Sequence, residues 1–197
     1  VDFNDGTYGV RLGSSFYRVD DDLPVESIYN SNLAYAKLGV SNSMWVAIME
    51  KAYAHYRNGS NSYATLNLGG LMTEVYPVLG STATGNSWIR GYSSATAMAN
   101  DIFNRWNNYQ CVTMGFFTVP WGIPLSTPHA YSVASVTRNS WGVVTSITLH
   151  NPWGIDGQFP GAPSDANPYD GLVTLTPDQL FRCDGVVQFA NGLQPWL

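Results

Sequence analysis

His129 and Asn151 are the side chains of this sequence whose types, taken together, could do chemistry. An asparagine oxygen that accepts from one imidazole nitrogen fixes the ring's tautomer and angle and leaves the other nitrogen facing a partner group. If that partner is a thiol, the pair is the base-and-orienter half of a Cys-His-Asn arrangement for acyl transfer. On residue types alone, the two fit a purely structural histidine–asparagine pair equally well. The chain has two cysteines, Cys111 and Cys183, too few for a disulfide scaffold and without the spaced histidines of a zinc site. A nucleophilic thiol is favoured at a helix N-terminus, where the dipole lowers its pKa. Cys111 instead lies in Gln110 to Val119, which reads as a buried strand with the cysteine as a small core residue.

The element that must position the pair is a hairpin. Residues 130–136 and 143–149 carry β-branched residues with partial period-two alternation, and Asn139 to Gly142 is a turn cluster. Two strands so joined bring their outer ends together, which places His129 beside Asn151, with Trp153 just beyond. Alternation turns the neighbouring His150 to the other face, so it is assigned no role. The irregular stretch Pro120 to Pro128 delivers the chain to His129 and is expected to form a rim of a cleft.

Elsewhere, Tyr8 to Leu12 and Phe16 to Val19 read as a short hairpin. Asp20, Asp21 and Asp22 imitate a metal cluster but fit acidic residues at a solvated strand end better. Residues 41–57 predict a helix capped by Ser41, Asn42 or Ser43, with Trp45, Ile48, Met49, Ala52, Tyr53 and Tyr56 as its core stripe. His55 falls near its C-terminal end, where positive charge is favourable. Leu68-Gly69-Gly70 opens a weaker segment from Leu71 to Tyr76, and Thr82 to Ser87 reads as a loop. Ser93 to Tyr109 carries apolar residues at helical spacing. After Gly154 comes a long Gly/Pro/Asp stretch with Phe159 and Tyr169 as an aromatic tip. Leu172 to Leu175 then reads as a strand, Thr176-Pro177-Asp178 as a capped helix start, and Gly185 to Phe189 as a closing strand.

Composition narrows the function classes. A chain of 197 residues with 45% hydrophobic content buries a real core. Net charge is −5 with nine basic residues and no basic cluster, which argues against nucleic acid or an anionic membrane as partner. Charged residues make up only 12%, which tilts the expectation toward an extracellular or cell-surface setting. No apolar run approaches the ~20 residues of a membrane span, and the start at Val1 reads as that of a processed piece.

The element His-Ala-Tyr-Ser-Val at 129–133, followed by a hairpin and Asn-Pro-Trp-Gly at 151–154, resembles the calpain family of papain-like cysteine endopeptidases. Four further stretches agree, in order. Tyr8 to Pro24 resembles the family's strand pair ending in Val-Asp-Asp-x-Leu-Pro, and Met44 to Tyr56 its Leu-Glu-Lys-Ala-Tyr-Ala helix. Ser62 to Gly70 resembles the Ser-Tyr-x-x-Leu…Gly-Gly loop, and Asp170 to Phe189 the closing Asp-Gly segment. The resemblance implies an α+β papain-like (calpain-type) core. Residues 1–109 would be the C-terminal part of a helical first lobe, and 110–197 an antiparallel β-rich second lobe carrying His129 and Asn151. It further implies peptide bond hydrolysis, with Trp153 shielding the His–Asn hydrogen bond, Gly69 and Gly70 admitting an extended polypeptide substrate, and Pro128 lining the same cleft.

Three departures qualify that expectation. The family's residue before the histidine is usually Gly, whereas Pro128 has no N–H to donate. The family glutamate that helps bind calcium is Ser43 here, and the acidic positions after Asn-Pro-Trp-Gly are matched only loosely by Asp156, so neither metal nor cofactor is expected. The family's Gly-Asp-Cys-Trp segment, with the nucleophile, lies ahead of all these motifs and is not among these residues. The chain is thus expected to supply the base and its orienter and to need a Cys-bearing N-terminal segment as partner. Two alternatives stand beside this reading. One is a calpain-like pseudoprotease that binds peptide without cutting it. The other is a secreted module gripping sugars or extended peptides through Trp88, Trp121 and Trp141.

Overall fold

A computed structural model describes residues 1–38, 40–157, 167 and 169–192; Phe159 lies outside the described residues. The fold is α+β and comprises two compact units, Val1–Gly80 and Ser81–Leu197.

The first unit opens with the hairpin β1 (Thr7–Leu12) and β2 (Ser15–Asp20), paired in register from Thr7↔Asp20 to Leu12↔Ser15. A second hairpin, β3 (Val25–Ser27) and β4 (Asn30–Leu33), precedes helix α1 (Trp45–Asn58), and α2 (Met72–Val78) closes the unit. Its core is Val10, Leu12 and Val19 from the strands with Ile48, Ala52 and Val78 from the helices. Helix α1 departs from the expected capping. Its N-cap is Met44 with no side-chain bond, because Ser41 and Asn42 are held in left-handed backbone at φ 57° and 58°. The expected stripe is also rotated. Ile48 and Ala52 are buried, but Trp45 and Tyr56 are 66% and 44% exposed, and the tight face is completed by Ala47, Lys51 and Ala54. Small residues let the helix approach the β1–β2 hairpin closely. At the C-terminus, Gly59 takes φ 68° and returns its N–H to His55 O, a left-handed cap that glycine adopts without strain.

Burial of Lys51 also changes the role expected of the acidic run. The Asp20 carboxylate accepts from Lys51 Nζ, which donates in addition to Asp22 O. Asp20 is therefore the counter-ion of a buried ammonium and not merely a solvated strand end, and that hydrogen bond holds its carboxyl below the ordinary 3.8.

The second unit is built on one antiparallel sheet of six strands: β5 (Ala83–Trp88), β6 (Cys111–Thr118), β7 (His129–Arg138), β8 (Val144–His150), β9 (Leu172–Leu175) and β10 (Asp184–Ala190). Their spatial order is β5-β10-β6-β7-β8-β9. Helices α3 (Ala95–Asn107) and α4 (Pro177–Phe181) cover one face, and Met98, Ile102, Met114, Phe116, Tyr131, Ile147, Leu149, Leu180 and Phe189 form the core between. The two units divide at Gly80/Ser81, ahead of the expected 109/110, because β5 hydrogen-bonds to β10 and α3 packs on the sheet. Thr82 to Ser87 is accordingly an edge strand for most of its length, not a loop. Ala-Thr-Gly-Asn-Ser has no strand pattern of its own; β10 recruits it. Helix α3 is capped by Ser94, which accepts from Ala97 N–H, and α4 by a capping box between Thr176 and Gln179.

Candidate active site

His129 is the first residue of β7 and pairs with Phe116 of β6, while Asn151 follows the last residue of β8. The β7–β8 hairpin, closed by Asn139 to Gly142, returns the chain so that its outer ends meet. On the far side, Asn151 N–H donates to Gly171 O at 2.8 Å, which fixes the backbone beyond the strand end. His129 Nε2 and Asn151 Oδ1 are 2.8 Å apart.

The tautomer follows from the remaining contacts. Asn151 Oδ1 also accepts from Trp153 N–H at 3.1 Å, and Asn151 Nδ2 donates to Ile155 O at 2.8 Å. The backbone groups therefore dictate which end of the carboxamide is oxygen, and an oxygen facing Nε2 requires Nε2 to carry the proton. Nδ1 is left as the unprotonated, basic nitrogen. The ring itself is bracketed by aromatics: Trp153 stacks on it with centroids 3.9 Å apart at 27°, and Tyr131 meets it in a T-shape at 5.0 Å and 84°.

Asn151 is fully buried, His129 half-buried, and Trp153 39% exposed. Burial pulls the imidazole below its ordinary 6.5, and the Asn151 hydrogen bond works in the opposite direction. A neutral imidazole with one free basic nitrogen, held in a fixed plane, is suited to take a proton near neutral pH and return it.

His150 is exposed, on the opposite side of the strand from buried Asn151, as alternation requires. Pro128 is exposed and enters His129 through a cis Thr127–Pro128 bond. Gly69 and Gly70 belong to the first unit, where both are exposed; Gly69 has φ 71° and its carbonyl accepts from Arg57. Among the described residues no group of three or more His, Cys, Asp or Glu is placed to hold a metal ion; Ser43 is half-buried and Asp156 buried. Nor is any helix among them long and apolar enough to cross a membrane.

Cys111 heads β6 as expected of a strand residue but is exposed, since inward alternation begins at Val112. It pairs with Ala190, whereas His129 pairs with Phe116. Five strand positions separate the two registers, roughly 16 Å at the usual rise, so Cys111 does not reach the imidazole. Cys183 is buried, bonds to Gln179 O, and has its thiol pushed up to about 11 by that burial.

Two contributors escaped the sequence reading. Gly171 accepts from Asn151 N–H at φ 71°, and a Cβ there would lie 2.8 Å from Asn151 O. The Asp170-Gly171 turn pair was its signal. Tyr131 stands two residues after His129 and so on the same strand face, a placement that period-two alternation gives directly.

A half-buried histidine bonded to a buried asparagine and stacked under a tryptophan thus stands where the ends of β7 and β8 meet in an antiparallel sheet. Comparison with known proteins gives the particular family. The family model described as "Calpain family cysteine protease" matches residues 15–171. Calpain-A of Drosophila melanogaster is 30% identical over 166 residues, covering 76% of this chain and 18% of that protein. Calpain-B of the same organism is 28% identical over 162 residues, covering 76% of this chain and 16% of that protein. This chain belongs to the calpain family of cysteine proteases. It spans less than a fifth of the length of these curated relatives.

Proposed function

We propose that this chain supplies the histidine–asparagine half of a calpain-type cysteine endopeptidase, with the second unit as the β-rich lobe of a papain-like core. The observation that carries the reading is the 2.8 Å contact between His129 Nε2 and an Asn151 oxygen whose orientation is fixed by Trp153 N–H and Ile155 O. The thiol comes from a Cys-bearing segment outside these residues, since Cys111 and Cys183 are both misplaced for the task.

In this mechanism His129 Nδ1 takes the thiol proton, giving a thiolate and an imidazolium whose Nε2–H remains on Asn151. Sulfur bonds to the peptide carbonyl carbon and the carbonyl becomes an oxyanion. Its collapse breaks the C–N bond while Nδ1–H is delivered to the leaving amine. Water then gives a proton to Nδ1 and attacks the thioester, the carboxylic acid leaves, and sulfur recovers the proton. Trp153 keeps water from the Nε2–Oδ1 bond, which strengthens it. Gly69 and Gly70 are read as substrate-binding because glycine lets an extended backbone come close.

The test uses full-length protein, a fluorogenic peptide and an epoxide that alkylates activated thiols. The expected result is cleavage and labelling of a cysteine outside residues 1–197, both lost in His129→Ala. Labelling of Cys111 would overturn the assignment of the thiol. Peptide binding with neither cleavage nor labelling would identify a calpain-like pseudoprotease.

A further inference from the structure

We infer that Tyr131 is a positioning residue for His129, joining the imidazole to the segment that leads into it; the inference rests on the functional reading of His129 given above. Tyr131 is 1% exposed and lies on the same strand face as His129. Its ring meets the imidazole at 5.0 Å and 84° and Phe116 at 5.8 Å and 66°. Phe116 is itself the β6 partner of His129, so the tyrosine ring contacts both the histidine and the residue that sets the histidine's register.

Its hydroxyl faces the other way along the chain. Ser126 N–H donates to Tyr131 Oη at 2.7 Å, which ties off Ser126, Thr127 and Pro128, the residues that carry the backbone into His129. This anchor is one that Pro128 could not provide, having no N–H of its own. Burial pushes the phenol up, the Ser126 hydrogen bonds work the other way, and the Asp156 carboxylate adds a smaller push upward. One side chain thus fixes both the plane of the imidazole, through its ring, and the backbone on which the imidazole rides, through its oxygen. The free Nδ1 is aimed jointly by Asn151 from one side of the ring and by the Tyr131–Ser126 anchor from the chain behind it.

The experiment compares Tyr131→Phe and Tyr131→Leu with the parent in full-length protein. Tyr131→Phe keeps the ring and removes the oxygen, so the fold should hold while the imidazole loosens. The expected readouts are a roughly fivefold faster exchange of the Ser126 amide and of the His129 Nε2 proton, about what one net hydrogen bond is worth. Peptide cleavage should show a matching fall in kcat with KM within about twofold. A merely structural tyrosine would lower the unfolding midpoint without moving the Nε2–H signal. Unchanged exchange at both sites in a folded Tyr131→Phe overturns the inference. Tyr131→Leu should exceed Tyr131→Phe at Nε2–H; equal effects would remove the ring's part in it. If the parent cleaves nothing, the endopeptidase reading fails, and the two exchange rates still decide the role of Tyr131.

Discussion

Replacing Asn151 by alanine removes three hydrogen bonds at a fully buried position. His129 Nε2–H and Trp153 N–H lose their acceptor, and Ile155 O loses its donor. A buried polar group left without a partner costs about 1–3 kcal/mol. His129 and Trp153 are partly exposed and recover water in the variant, so the net loss should be about 2–4 kcal/mol. The imidazole gives a second, independent readout. Burial lowers its pKa and Asn151 opposes that effect, so Asn151→Ala should move the titration of His129 further below 6.5. Asn151→Asp should move it up, since a carboxylate favours the imidazolium. In the cleavage assay, a hydrogen bond to an imidazolium is worth ~1.5–3 kcal/mol, which converts to roughly 10- to 150-fold in kcat/KM. Urea denaturation and an NMR titration of His129 suffice for the first two measurements. An Asn151→Ala protein whose His129 titrates at the parental pH or above would refute the claim that Asn151 accepts from the ring.

Other perturbations test the frame around the pair. His129 binds protons less readily folded than unfolded, so its contribution to stability is present above about 6.5 and is lost as pH falls below it. His129→Phe should flatten that part of the pH–stability curve. Gly171→Ala forces φ 71° on a residue with a Cβ and sets that carbon 2.8 Å from Asn151 O, so the unfolding midpoint should drop by the equivalent of ~2 kcal/mol or more. Asp20→Ala strips the buried Lys51 of its counter-ion; because the carboxylate is itself 47% exposed, the expected loss is ~1–3 kcal/mol, and Lys51→Met should restore part of it in the double variant. Ile147→Ala, at a site with no exposure, should cost ~2–5 kcal/mol in urea melts.

Local patterns were legible wherever local physics decided the outcome. The β7–β8 hairpin has alternating β-branched residues and a polar turn, and its geometry alone brought His129 to Asn151. Thr176-Pro177 announced α4, and Leu172 to Leu175 read directly as β9. Elements that depend on distant partners were not legible. β5 exists because β10 needs a neighbour, and nothing in Ala-Thr-Gly-Asn-Ser announces it. The face of α1 turned on close approach through Ala47 and Ala54 and on a lysine that only a strand-end aspartate could make burial-competent. Trp45, the most hydrophobic candidate for that core, stayed outside. At the site, the pair could be read from the chain, but the devices that aim it, Gly171 O and the Tyr131 hydroxyl, arise only from the folded backbone around them.

His129 takes its position from β6 on one side, and Asn151 from Gly171, beyond the end of β8, on the other. The tip of their shared hairpin, with Trp141 88% exposed, is referenced by neither. Ten residues of β7 separate the two ends, roughly 30 Å at strand rise. Length at the tip is thus a free variable: a reporter or an affinity handle spliced between Ser140 and Trp141 would leave the dyad's spacing intact. The hairpin serves as a mast, anchored at its foot where the chemistry lies and open to attachment at its top.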